Sequence, residues 1–124
     1  MKTVEVWMEF DHIGIVTEDK KTDENFVEAT RVWVTNPKTH PFHVEWLRFE
    51  PDTPVTGPLR KGPHIAYRVD SIDEASKGLE VLLEPWVVND FVRVGFFLTE
   101  DNTVVEFMEY LHGDGEWFPD DEQK

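Results

Sequence analysis

The sequence predicts an α+β fold made of two pseudo-symmetric βαβββ-type modules, the first lacking its helix. Three observations predict it. A strand opening on histidine occurs twice, as His12-Ile13-Gly14-Ile15-Val16 and, fifty-two residues later, as His64-Ile65-Ala66-Tyr67-Arg68-Val69. Each is followed by a strand opening Val-Glu: Val44-Glu45-Trp46-Leu47-Arg48-Phe49, then Val105-Glu106-Phe107-Met108-Glu109-Tyr110. Strand signals dominate the rest of the chain. A repeat of this kind means two similar modules packed together, and 124 residues fit one domain of two half-size modules sharing a core.

The elements follow in order. Phe10 to Thr17 alternates around Ile13 and Ile15 and reads as a strand. Residues 18–25 are charged, with no apolar stripe, so no long helix is expected there. Residues 26–35 are extended, as one long strand or two short ones. Asn36-Pro37 and His40-Pro41 mark a turn before the strand from Phe42 to Phe49. This first module covers residues 8–50. Residues 51–63, with Pro51, Pro54, Pro58 and Pro63, read as an extended linker stiffened by proline. The second module, 64–112, opens on the His64 strand. Ser71-Ile72-Asp73-Glu74 fits a capping box for a short helix that Gly78 can end. Val81 to Val88 is a strand in which Pro85 implies an edge or a bulge. Phe91 to Thr99 and Thr103 to Tyr110 form a hairpin. An acidic tail, 113–124, closes the chain. The distance from His12 to Glu45 is nine residues shorter than that from His64 to Glu106, about one short helix.

Bulk properties narrow the class. Apolar residues make up 40%, with 5 Trp and 9 Phe, enough for a proper core. The net charge of −14 argues against nucleic acid or an anionic membrane as partner. With no cysteine, thiolate nucleophiles, disulfides and Cys-based zinc sites are excluded. No signal-peptide core and no run of membrane-span length occurs, so a cytoplasmic protein is expected.

The repeat places chemistry in equivalent positions. Strand side chains alternate faces, so His12 shares a face with Gly14, and His64 with Ala66 and Arg68. Both histidines have a small residue two positions on. Glu45 lies with His43 and Leu47; Glu106 lies among Val104, Val105, Phe107 and Met108. A carboxylate on an apolar face is costly unless paired or bound to metal. Singly, each of the four is more often a satisfied structural residue than a ligand. Their paired repetition points to a divalent metal site of His12, Glu45, His64 and Glu106. Such a set suits Zn, Ni, Co, Mn or Fe. Arg68 is a candidate to hold a substrate carboxylate or phosphate, and His43 to assist Glu45. Tyr67, Trp46 and Phe107 face the other way and read as core.

This pattern resembles the vicinal oxygen chelate superfamily, which includes glyoxalase I, methylmalonyl-CoA epimerase, extradiol dioxygenases and the fosfomycin and bleomycin resistance proteins. The resemblance covers residues 10–110. Asp11-His12-Ile13-Gly14-Ile15 looks like the family's opening strand, with His12 its first ligand. His64 matches a second ligand, and Val105-Glu106-Phe107-Met108-Glu109 the closing strand with Glu106 as ligand. Glu45 falls at the remaining position, with His43 as its alternative. The resemblance implies curled mixed sheets around one metal ion, and a small substrate with adjacent oxygens such as a hydroxyketone, an enediolate or a 2-keto acid. The ion would act as Lewis acid toward an enolate-type oxyanion, and Glu106 or Glu45 would take the proton alpha to the carbonyl. A lyase or isomerase is the first reading. A non-catalytic, ligand-sequestering protein of the same fold is the alternative. A dioxygenase, which uses two His and one Glu, comes third. A homodimer is expected, because a shortened first module leaves sheet edges and aromatic surface to cover.

Overall fold

The computed structural model describes residues 7–88 and 90–111; the acidic tail lies outside the described residues. Strands β1 (Met8–Val16), β2 (Asn25–Val27), β3 (Val32–Val34) and β4 (Val44–Phe49) come from the first half of the chain. Strands β5 (His64–Val69), β6 (Glu80–Val88), β7 (Val92–Leu98) and β8 (Val104–Tyr110) come from the second. They form one mixed sheet in the order β2-β3-β4-β1-β5-β8-β7-β6, curled into a half-barrel. The order maps onto itself when β1–β4 are exchanged with β5–β8. A pseudo-two-fold axis therefore passes between β1 and β5, as the repeat requires.

Register does the positioning. In each half the His strand pairs in parallel with the Glu strand, setting Gly14 beside Glu45 and Ala66 beside Glu106. Across the axis β1 and β5 are antiparallel, with His12 opposite Ala66 and Gly14 opposite His64. The small residue two after each histidine therefore makes room for the other module's histidine. A Cβ on Gly14 would sit 2.1 Å from His64 Cε1, closer than any side chain tolerates.

The two outer faces are covered differently. In the second half, α2 (Ile72–Ala75) follows Ser71, whose hydroxyl accepts from the Glu74 N–H at 3.1 Å, as the capping pattern predicts. It presses the fully buried Ile72 onto Val69, Phe97, Val105 and Phe107. Among the described residues the first half has no such helix. Its outer face is dressed by the charged segment before β2. Glu24 takes two hydrogen bonds from Arg48, both 2.7 Å, and Lys21 Nζ stands 4.4 Å over the Trp46 ring. Trp33 donates to Glu50 and packs on Phe26. Residues 26–35 resolve into two short antiparallel strands, turning at Arg31 with φ 53°.

The segment between the halves differs from the extended linker that its prolines suggest. It carries a one-turn helix, α1 (Gly57–Lys61), with Pro58 in its first turn, where a missing N–H costs nothing. Val55 and Leu59 are buried against Val32, Val34, Leu47, Val94 and Phe96 of the inner face. The connection thus closes the concave side of the sheet instead of merely spanning it. Pro85 sits in edge strand β6, whose register against β7 shifts on both sides of Leu83, as an edge proline predicts.

Candidate metal centre

Four charged or polar side chains point into the concave face at the pseudo-axis: His12 from β1, Glu45 from β4, His64 from β5 and Glu106 from β8. All are buried, at 0, 4, 1 and 3% exposure. Each offers one donor atom, and these four atoms lie within 4.8 Å of one another. His12 Nε2 is 3.3 Å from Glu45 Oε1 and 3.2 Å from Glu106 Oε1. His64 Nε2 is 3.1 Å from Glu106 Oε1 and 3.8 Å from Glu45 Oε1. The rings stand nearly perpendicular, 79° apart, with centroids 5.8 Å apart.

Burying two carboxylates is expensive unless positive charge answers them. Burial alone disfavours a charged ring at His12, yet the Glu45 charge, the hydrogen bond with Asp11 and the nearby Glu106 carboxylate raise its pKa well above the ordinary value. Burial pushes the Glu106 carboxyl up, but the attraction of the neighbouring His12 and His64 rings outweighs this and holds it below its usual range. The centre therefore favours positive charge between its carboxylates, carried by a proton or a metal ion.

The donor set fits a divalent ion. His64 Nδ1 and Nε2 and Glu106 Oε1 are fully buried and make no properly aligned hydrogen bond among the described residues, despite their short separations. Donors that crowd together without pairing suit a common cation. The orientation of His12 fits as well. Its Nδ1 donates to Asp11 Oδ1 at 2.6 Å, which turns Nε2 toward the centre. Asp11 is held in turn by the Tyr110 hydroxyl, which donates to Oδ2 at 2.8 Å. Burial and the Asp11 charge raise the Tyr110 pKa, so the phenol keeps its proton. Burial opposes ionisation of Asp11, but its bonds with His12 and Tyr110 leave its pKa lowered.

Asp11 and Tyr110 were not legible as site residues. In strict alternation Asp11 faces away from His12. The pairing slips between Phe10 and His12, so Asp11 is a bulged residue and reaches the same side. His43 maintains that bulge. It lies outside the four-donor cluster, exposed, with φ 56°, and its Nδ1 donates to the Asp11 carbonyl at 2.9 Å. Glu45, not His43, joins His12 as the first-half member of the cluster. Arg68 is half-buried, its guanidinium 4.5 Å above the Tyr110 ring, and is not among the residues lining the cavity. All four donors belong to a single chain.

Glu45 and Glu106 form the floor of a narrow cavity of about 50 Å³ that opens toward solvent. Its walls come from both halves and from the connection: Val32, Val34, Leu47, Val94, Phe96 and Leu59 among them. Of the Trp33 and Phe97 strands, the neighbours Val32, Val34, Val94 and Phe96 face the cavity. Trp33 and Phe97 do not line it.

The fold is shared with a known enzyme. The chain is similar to the crystal structure of methylmalonyl-CoA epimerase from Mycobacterium tuberculosis, with a TM-score of 0.57 and 16% identity, covering 82% of this chain and 87% of that one. At that identity the likeness is one of fold. No family model matches the chain, and no curated protein matches it.

Proposed function

We propose that the protein is a metal-dependent isomerase or lyase of the vicinal oxygen chelate type, acting on a small molecule with adjacent oxygens through an enolate-type intermediate. One observation carries this reading: two histidines and two glutamates from equivalent strands converge, buried, and the two glutamates form the floor of an apolar cavity. The similarity in fold to an epimerase supports an isomerase reading. His12, Glu45, His64 and Glu106 would hold one divalent ion (Zn, Ni, Co, Mn or Fe), which supplies Lewis-acid stabilisation to an oxyanion. The chain's own groups divide the remaining work. Asp11 and Tyr110 fix the His12 ring. Glu106 stands close to both histidines, whereas Glu45 is 3.8 Å from His64 and is the looser of the two. Glu45 therefore takes the proton alpha to the carbonyl and returns it, while Glu106 stays anchored. The apolar walls exclude water, which protects a carbanion-like species from unselective protonation.

The apolar lining also suits the second reading, a ligand-sequestering protein of the same fold. Proton exchange separates the two. Metal-stripped, untagged protein is titrated with each of the five ions by calorimetry. The loaded protein is then incubated with hydroxyacetone in D2O, and loss of the hydroxymethyl proton signal is followed by NMR. The isomerase or lyase reading expects micromolar or tighter binding of at least one ion and metal-dependent exchange that Glu45→Gln abolishes. Binding without exchange supports sequestration, and no binding of any ion rejects the metal reading.

A further inference from the structure

The walls above Glu45 and Glu106 are apolar, with Val55, Leu59, Leu83, Trp86, Val94 and Phe96 among them. Thr30 is the one other polar residue among the described residues lining the cavity, and none of these is Lys, Arg or His. Trp86 and Phe96 lie together, with ring centroids 6.1 Å apart, and Phe96 also meets His64 edge-on at 5.1 Å. An aromatic shelf therefore runs from the donor cluster into the cavity.

Charge at the floor adds a second constraint. Two carboxylates balance one divalent ion, so the loaded floor is neutral. A ligand bringing a further negative charge would be desolvated against apolar walls, with no cation among the lining side chains to receive it. Burying an unpaired charge costs far more than van der Waals packing against those walls returns.

We propose, resting on the metal-site reading above, that the site selects a ligand with a neutral vicinal-oxygen head and an apolar body. An aryl or branched-alkyl α-hydroxyketone meets both conditions; a phosphorylated one does not. The head reaches the floor between Glu45 and Glu106. The body lies along Phe96 and Trp86, under Val55 and Leu59.

Three ligands sharing the head HOCH2–CO– test this: 2-hydroxyacetophenone, hydroxyacetone and dihydroxyacetone phosphate. Affinities are measured by calorimetry on zinc-loaded protein freed of excess metal. Using 1 M sodium chloride, where the Debye length is about 3 Å, removes the general repulsion of a −14 chain. The expected order is 2-hydroxyacetophenone at least tenfold tighter than hydroxyacetone, and dihydroxyacetone phosphate weakest. A phosphate ligand binding as tightly as the phenyl ketone overturns the proposal while leaving the metal site intact. Failure of zinc and the other four ions to bind overturns the parent reading as well, and is seen before any ligand is added. A converse variant places the body. Leu83 is half-buried on edge strand β6, so an arginine there can enter the cavity without sitting in the deep core. Leu83→Arg, checked for folding by circular dichroism, should bind dihydroxyacetone phosphate more tightly than hydroxyacetone. An unchanged order in folded Leu83→Arg puts the ligand body outside this cavity and refutes the assignment.

Discussion

Glu106 and Glu109 stand three residues apart on β8 and do different work. Glu106 faces the donor cluster; Glu109 accepts the Ile72 N–H at the start of α2 and pairs with Arg93. Glu106→Gln should weaken metal binding by orders of magnitude and lower the stability of the metal-free protein, because it removes the carboxylate that His12 and His64 hold ionised. Glu109→Gln should leave metal affinity unchanged and lower the melting temperature through the weakened cap. Thermal melts of stripped and loaded forms read both effects. An equal metal-induced shift in wild type and Glu106→Gln would falsify the ligand role. Asp11→Asn tests the support behind His12. It should lower metal affinity about 10–100-fold, with a smaller loss in Tyr110→Phe. The same groups set a pH window for the stripped protein. His12 is raised above its unfolded pKa of about 6.5, so its contribution is full below that value and is lost as pH rises through the folded pKa. Asp11 and Glu106 are lowered, so theirs is present above their unfolded pKa values of about 4 and lost as pH falls through the folded ones. Melting temperature in the stripped wild type should therefore peak between these limits. The alkaline decline should flatten in Glu106→Gln, which removes one of the groups holding the His12 proton. The four donors were legible because the repeat displays them twice. Asp11 was hidden because a bulge defeats the two-residue period on which reading a strand depends.

At the scale of elements, the strands were the readable part. β5 lies where the His64 strand was expected, β7 and β8 where the hairpin was, and α2 where its capping pattern placed it. The helix α1 was not readable, because five residues are too few to show a 3.6-residue period, although Pro58 in the first turn and Gly62 after the last are consistent with one. Its burial could not be read either, since Val55 and Leu59 look like ordinary linker residues until the sheet curls over them. Leu59→Ala should cost about 2–5 kcal/mol, the usual range for a buried leucine. A loss within error in urea unfolding would mean that the connection merely spans the two halves. The sheet centre gives a second prediction. Gly14→Ala places a Cβ inside the His64 ring, and the ring must swing away from the cluster. The variant should keep its strand spectrum by circular dichroism and lose most of its metal affinity. Full retention of affinity would show that His64 is not a ligand.

For the whole molecule, the outstanding question is what covers its exposed apolar surface. Trp7, Met8 and Phe10 at the start of β1 are 43–48% exposed, and Phe42, which precedes His43 before β4, is 78% exposed. The Phe10 ring lies 6.5 Å from that of His43, which brings the start of β1 and the turn before β4 to one end of the sheet. A strongly acidic chain gains from self-repulsion against random aggregation, yet this end presents aromatic surface of the kind that marks an interface. A second copy related by a two-fold axis would meet the same patch with itself. A homodimer is therefore expected, at twice the 14.6 kDa chain mass, by light scattering at low micromolar concentration. Phe42→Ser should release monomer, because a side chain this exposed contributes nothing to the chain's own core. Metal affinity separates this contact from the centre. All four donors come from one chain, so the Phe42→Ser monomer should bind its ion as wild type does. If monomer formation abolished metal binding, the centre would depend on the partner, and the single-chain cluster would not be the functional arrangement. A wild-type mass near 15 kDa would instead show that the aromatic end stays open to solvent and that the two halves need only each other.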